Sequence, residues 1–250
     1  MGAKAPSRIG GFGLSRYDLE EVVGGALSSV TGLQLRRLRE RTRPLPDLSF
    51  RLHLEHEQGV LALRLGAAPL HRRPYRLSSV PGGLHPPVAF ALSWLAELAP
   101  GHLCVDPFCG AGTIAIEAAF ACPEARLVAV DLAWPALRAT LTNSGRAGRP
   151  VLALRADAAR LPLPDGSVDR LVSNPPWTNQ VAYAGLLAEG RRPLWEEIAR
   201  VLAPAGRAVL LGVTAADEPE TDAAGLARRV LTRLSLFGTW TDVSLLARPS

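Results

Sequence analysis

Two short stretches of this chain carry residue types whose spacing suggests chemistry. The first is Asp106-Pro107-Phe108-Cys109-Gly110-Ala111-Gly112-Thr113, where an apolar run gives way to a helical pattern. Glycines at such a turn remove Cβ atoms, so backbone can approach a ligand closely, and the helix start adds unpaired N–H groups. By spacing alone, Gly110, Gly112, Thr113 and Ala115, with Asp131 19 residues beyond Gly112, also fit a dinucleotide site. Asp106 argues against that reading. An acid at the end of the first strand would repel a pyrophosphate, whereas it suits the cationic methionine end of S-adenosylmethionine. Asp131 would then accept from the ribose hydroxyls and Asp157 from the adenine amino group. Three acids following three successive strands point at one crevice. The second stretch is Asn174-Pro175-Pro176-Trp177, about 60 residues further on. The Asn174 side chain and the Pro175 carbonyl set two hydrogen-bond acceptors close together at a strand end. The prolines stiffen the backbone and remove competing N–H donors. Trp177 adds a flat aromatic face.

These residues need elements to hold them, and the pattern supplies an alternation. A helix is expected over 88–98. Strand 102–106 then precedes helix 111–121, strand 126–131 precedes helix 134–145, and strand 151–155 leads to a loop. Strand 168–173, helix 186–202 and strand 207–213 follow, then a helix near 223–234 and a final β segment, 235–246. Strand–helix alternation of this kind implies α/β architecture with a mostly parallel sheet. Upstream, Leu19, Val22, Val23, Leu27 and Val30 recur at helical spacing, with Ser15 or Asp18 as cap. Alternating runs 48–54 and 61–65 read as a β-hairpin. A Pro- and Gly-rich linker covers 66–87, and the domain boundary is expected after Arg76, giving modules 1–76 and 77–250. His85 before Pro86-Pro87 reads as a helix-entry residue. Cys109 reads as a small filler of its turn, and Trp94, Trp134 and Trp195 as packing residues.

Composition narrows the class. Hydrophobic residues make up 48% of 250, enough for a sizeable core, and no apolar run reaches membrane-spanning length. The start has no secretory signal pattern. Cys104, Cys109 and Cys122 make neither a disulfide framework nor a zinc site, so no metal is expected and a reducing, cytoplasmic setting is. The net charge of +5 is uneven, with 13 Lys/Arg against 7 Asp/Glu over residues 1–76. A one-ended basic excess is the footprint of a polyanion binder.

The pair of motifs resembles the amino-methyltransferases that modify exocyclic base nitrogens or a glutamine amide. Leu70-His71-Arg72-Arg73-Pro74-Tyr75-Arg76 is similar to the link between the RNA-binding THUMP domain and the catalytic domain in tRNA and ribosomal RNA guanine-N2 methyltransferases. The preceding helix and hairpin resemble the later part of such a domain, in a shortened form. The resemblance spans most of residues 15–214. It implies a Rossmann-like class I methyltransferase fold with a seven-stranded sheet plus a small α+β N-terminal module. S-adenosylmethionine would lie against Asp106, Gly110, Gly112, Thr113, Asp131 and Asp157. Asn174, Pro175, Pro176 and Trp177 would carry the reaction at guanine N2 of tRNA. That nitrogen's lone pair is delocalised. The Asn174 side chain and Pro175 carbonyl would accept from its N–H groups and draw the pair toward the methyl donor. Trp177 would stack on a base lifted from its stack. Arg72, Arg73 and Arg76 would neutralise RNA phosphates and Tyr75 would stack. The rivals are ribosomal RNA guanine-N2, adenine-N6 or glutamine-amide transfer, a non-catalytic RNA-binding factor on the same fold and, more distantly, a dehydrogenase.

Overall fold

The computed structural model describes residues 15–34, 49–55, 58–64, 69–176, 183–236 and 238–249. The chain divides into two compact units, 1–67 and 68–250. The division falls after Ala67, so the Arg72–Arg76 run expected to close the N-terminal module packs within the second unit.

In the first unit, α1 (Arg16–Thr31) is held at its start by a capping box in which Ser15 and Asp18 exchange hydrogen bonds. It ends at Gly32, whose φ of 71° supplies the left-handed turn. Gly24 and Gly25 do not interrupt it. The expected hairpin is present as β1 (Ser49–Glu55) and β2 (Gln58–Arg64), antiparallel, with Glu55 opposite Gln58. Residues 33–45, which the sequence makes rich in arginine, lie mostly outside the described residues.

The second unit begins with a strap of irregular chain, then α2 (Pro86–Leu95), entered through His85 with prolines in its first turn. The elements that follow are β3 (Leu103–Asp106), α3 (Thr113–Ala121), β4 (Arg126–Asp131), α4 (Trp134–Ala147), β5 (Leu152–Arg155), β6 (Val168–Ser173), α5 (Arg192–Val201), β7 (Leu202–Leu211), α6 (Glu218–Ala223), β8 (Ala227–Leu236) and β9 (Thr239–Ala247). Seven strands form one sheet in the order β5-β4-β3-β6-β7-β9-β8. The β5-to-β7 part is parallel and β9 runs antiparallel to both of its neighbours.

The central strands are apolar on both faces because helices cover both. Cys104, Leu127, Ala129, Val172 and Val209 point to one side, where they join Leu92, Ile116 and Leu137 of α2, α3 and α4. Val105, Val128, Val130, Leu171 and Ala208 point to the other, against Leu194, Trp195, Ile198 and Val201 of α5. α3 is buried from Thr113 to Ala119, which explains why its sequence is apolar all round. Among the described residues no helix is long and apolar enough to cross a membrane.

Several expectations need correction. Residues 223–234 do not form a helix: α6 stops at Ala223, Gly225 turns the chain with a φ of 77°, and 227–236 is strand. The register of β8 against β9 shifts between Val230 and Thr232, so the apolar residues lose their two-residue period and imitate a helical one. The helix expected over 186–202 is a short 3-10 turn at Gly185–Leu187 followed by α5, and β7 begins five residues before the expected strand, at Leu202. Trp195 is fully buried as a packing residue, but Trp94 and Trp134 are 72% and 58% exposed.

The largest correction concerns the strap. Tyr75 is 4% exposed and cannot stack on a base from there. Its hydroxyl donates to Glu117 Oε1 at 2.8 Å, and Arg73 donates to both oxygens of Glu117 at 2.9 Å. Glu117 sits on α3 and is 1% exposed, so its charge requires this pairing. Arg73 and Tyr75 therefore fasten the strap to the core. Arg72 stays exposed and Arg76 half-buried. Glu117→Ala leaves both partners unsatisfied and is expected to cost roughly 2–4 kcal/mol in urea unfolding. Phe120→Ala, on the same helix but partly exposed, is the comparison; equal losses would mean that Glu117 contributes no more than packing.

Candidate functional site

The strand order places the site. β4 lies on one side of β3 and β6 on the other, so the connections leaving β3 and β6 diverge. In open α/β sheets a crevice forms outside the carboxyl ends of such strands. Asp106 closes β3 and Ser173-Asn174 closes β6. The two motifs, 60-odd residues apart in sequence, thus meet across a hydrogen bond, Ser173 Oγ donating to Asp106 Oδ1 at 2.6 Å. The Phe108 N–H donates to the same oxygen at 3.2 Å. Oδ2 of Asp106 is buried and has no partner. Burial, only partly offset by these hydrogen bonds, pushes this carboxyl up to about 7.

The glycine turn is shaped around neighbours. Gly110 has φ 53° and Gly112 φ 78°. A Cβ on Gly112 would stand 2.8 Å from Thr140 of α4, so glycine is required by space as well as by dihedral. Thr140 Oγ1 donates to the Gly110 carbonyl at 3.0 Å. Thr113, expected at the cofactor, is buried as the first residue of α3. Asp131, at the end of β4, accepts from the Gly110 N–H at 3.0 Å and the Ala133 N–H at 2.9 Å. It therefore shapes the loop, and a carboxylate oxygen retains acceptor capacity for a further donor. Asp157, past β5, accepts from the Ala159 N–H at 2.9 Å and the Leu186 N–H at 2.8 Å, joining the loop after β5 to the turn before α5.

On the β6 side, Asn174 Nδ2 donates to the Gly82 carbonyl at 3.3 Å. Pro175 is buried and Pro176 half-buried. Trp177 lies outside the described residues. The structure thus brings Asp106, Gly110, Gly112, Asp131 and Asn174 to one edge of the sheet, with Asp157 behind the neighbouring strand. Arg73 and Tyr75 are turned to Glu117 instead.

Two residues here escaped sequence reasoning. Ser173 directly precedes Asn174 and reads there as the last residue of a strand. Asn143, on α4, is fully buried and uses its whole amide. Its Oδ1 accepts from the N–H groups of Leu77 and Ser78 at 2.9 and 3.0 Å, and its Nδ2 donates to the carbonyls of Ser78 and Ala111 at 2.9 Å. The strap is thereby bound to the glycine loop before it passes Gly82. A polar residue within a helix gives no sequence signal for such a role.

The orphaned oxygen of Asp106 is an acceptor awaiting a donor, preferably a cationic one. That is what the ammonium of a methionine-type donor offers.

Comparison with known proteins bears on the same segment. A family model described as RMKL-like, methyltransferase domain, matches residues 73–228. The chain belongs to this family. Among relatives, it is 32% identical over 168 residues to the U6 snRNA (guanine-N(2))-methyltransferase THUMPD2 of Bos taurus, covering 66% of this chain and 32% of that protein. It is 34% identical over 202 residues to a tRNA (guanine(6)-N2)-methyltransferase of Thermus thermophilus, covering 78% of this chain and 56% of that protein. The crystal structure of TrmN from Thermus thermophilus matches with a TM-score of 0.67 at 30% identity, over 94% of this chain and 68% of that one. The chain spans about a third of the length of the mammalian relative and about half of the bacterial one. The seven-stranded, mostly parallel sheet is that of class I methyltransferases.

In this family member the state of Asp106 gives a pH signature. A carboxyl raised to about 7 is bound to its proton more tightly in the folded protein than in the unfolded chain. The stability it contributes is complete below about pH 4, the ordinary carboxylate value, and is lost as pH rises through about 7. Asp106→Asn keeps an acceptor for Ser173 and cannot ionise. Between pH 5 and pH 8 the stability difference should move in the variant's favour by roughly 1–3 kcal/mol, read by urea unfolding at both values. A difference that stays constant would mean that Asp106 ionises in the fold without penalty.

Proposed function

We propose that this chain is an S-adenosylmethionine-dependent RNA methyltransferase acting on an exocyclic base nitrogen, with guanine N2 of tRNA as the first substrate. The observation that carries the reading is the buried, unpartnered Asp106 Oδ2 at the junction of β3 and β6, one hydrogen bond from the residue preceding Asn174. The family, and relatives named as guanine-N2 methyltransferases of tRNA and U6 snRNA, support the substrate class.

When bound, the cofactor supplies a methyl group on a sulfonium that is open to displacement by a positioned nitrogen. The chain's residues hold and orient. Ionised Asp106 would pair with the donor's ammonium, while Asp131 and Asp157 accept from the ribose hydroxyls and the adenine amino group. The backbone of Gly110 and Gly112 admits the donor closely, and Thr113 opens the helix beneath it. On the acceptor side, donation from Asn174 Nδ2 to Gly82 orients the amide. Its oxygen and the Pro175 carbonyl would then accept from the target amine, with Pro176 stiffening the turn and Trp177 stacking on the base. Because the nitrogen's lone pair is delocalised, this alignment is the main service the protein provides. Once methylated, the nitrogen carries a positive charge and gives its proton to solvent water.

Unit 1–67 is proposed to be part of a THUMP-like RNA-binding module, with Arg72 and Arg76 neutralising phosphates where the chain enters the catalytic unit. The protein is proposed to work in the cytoplasm without a metal.

Labelled methyl transfer to unmodified total tRNA, followed by nucleoside analysis, tests the reading; N2-methylguanosine is the expected product. Asn174→Ala is expected to lower turnover by at least about 100-fold while leaving donor binding within about twofold. Full activity in that variant would remove Asn174 from the reaction. Binding of RNA and donor with no transfer by the parent chain would point to the non-catalytic alternative.

A further inference from the structure

Buried polar side-chain atoms in native proteins nearly always find a partner, and those that do not call for an explanation. Among the described residues five lack one: Asp106 Oδ2, Tyr183 Oη, Arg191 Nε and Nη2, and Trp195 Nε1. They gather on one side of the molecule. Phe108, two residues past Asp106, packs edge-on against Tyr183 with ring centroids 6.1 Å apart. The Arg191 guanidinium carbon lies 5.8 Å from the Tyr183 ring centroid and 4.7 Å from that of Trp195. Arg191 is the N-cap of α5, so it stands at the carboxyl edge of the sheet, and its Nη1 reaches Asp217, just past β7. The Asp106 oxygen is accounted for by the methyl donor. The remaining orphans are all hydrogen-bond donors, and nothing so far uses them.

Their arrangement defines what would satisfy them. One edge of the Arg191 guanidinium is taken, with Nη1 at 2.8 and 3.1 Å from the two oxygens of Asp217. The rings of Tyr183 and Trp195 lie against it. What remains is the Nε–Nη2 edge, two parallel N–H groups that match a pair of adjacent acceptors. Asp217 is nearly buried and already balances the positive charge. A desolvated anion therefore gains little here, and the better-matched partner is a neutral group with two acceptors side by side. Burial pushes the Tyr183 hydroxyl up to about 12, so it stays a donor at neutral pH. Guanine presents such a pair in O6 and N7. Adenine places an amino donor where guanine has O6, and would set donor against donor.

We propose that the Nε–Nη2 edge of Arg191, whose guanidinium lies against the Tyr183 ring, receives the O6/N7 edge of the target guanine and selects guanine over adenine. This rests on the reading of the site as one for a guanine base. N2 lies across the purine from N7, so a base held in this way turns its amino group away from Arg191.

The test uses the full chain loaded with S-adenosylhomocysteine and, as probes, guanosine, 7-deazaguanosine and adenosine, with affinities read by ligand-observed NMR titration. The parent should bind guanosine about 5- to 100-fold more tightly than either analogue. Arg191→Lys keeps a charge opposite Asp217 but loses the fork, and should bring the three probes within about twofold of one another. S-adenosylhomocysteine affinity should not change. Equal affinity of the parent for guanosine and 7-deazaguanosine overturns the proposal without need of a variant, as does undetectable guanosine binding. Loss of S-adenosylhomocysteine affinity in Arg191→Lys also overturns it, assigning the edge to the methyl donor. Failure of the underlying reading looks different: N7-dependent guanosine binding with no methyl transfer to any RNA sinks the catalytic reading and keeps the pocket. Transfer to guanine N2 without N7 dependence does the reverse.

Discussion

A carboxylate that has lost its water must be hydrogen-bonded, paired with a cation or protonated. Asp106 is in that position, closed in at the end of β3 with one oxygen tied to Ser173 and Phe108 and the other without a partner. Its surroundings are arranged about this constraint. The sheet order sets β6 beside β3, which delivers Ser173 to one oxygen and Asn174 to the rim. An apolar core on both faces of the sheet is what keeps water out and makes the carboxylate costly without a ligand. The same dryness makes a bound cation worth more there than in water.

The strap before α2 shows how a segment without regular structure is made rigid. It carries few backbone ladders of its own, so side chains from the core satisfy it. Glu117 takes Arg73 and Tyr75, and Asn143 takes both polar groups of Ser78 along with the N–H of Leu77. Asn143 also holds the Ala111 carbonyl, so strap and glycine turn are fixed to each other through one amide. Further along, Gly82 accepts from Asn174. Buried polar networks of this kind specify a single arrangement because each member left unpaired would be expensive. The geometry of Asn174 thus depends on residues near 80 as much as on its own strand.

The sheet's far edge obeys a different rule. β9 and β8 run antiparallel, and Arg228 of β8 is buried against Glu218, Asp242 and the Val213 carbonyl. A buried arginine with its donors satisfied ties the last hairpin to the loop after β7. That loop also holds Asp217, the partner of Arg191.

The order of strands and helices from β3 to β6 was legible in the sequence, because local rules govern it: apolar runs ended by acids, a glycine turn, and helices of clear period. The acids at or just after the ends of β3, β4 and β5, and the Asn174 turn after β6, were legible as strand ends for the same reason. Three features were not. The helical spacing of Val230, Leu231 and Leu234 came from a bulge in a strand, and only pairing with β9, a partner chosen by the tertiary fold, decides between the two. Arg73 and Tyr75 carry the residue types of an RNA contact, yet a buried glutamate 42 to 44 positions later claims both. Asn143 and Arg191 look like ordinary helix residues until their neighbours are in place. Sequence by itself determined which elements form and which side chains end them, because propensity and periodicity act over a few residues. Tertiary structure alone decided which polar groups are satisfied within the fold and which are left over, because hydrogen bonds between distant segments exist only once the chain has packed.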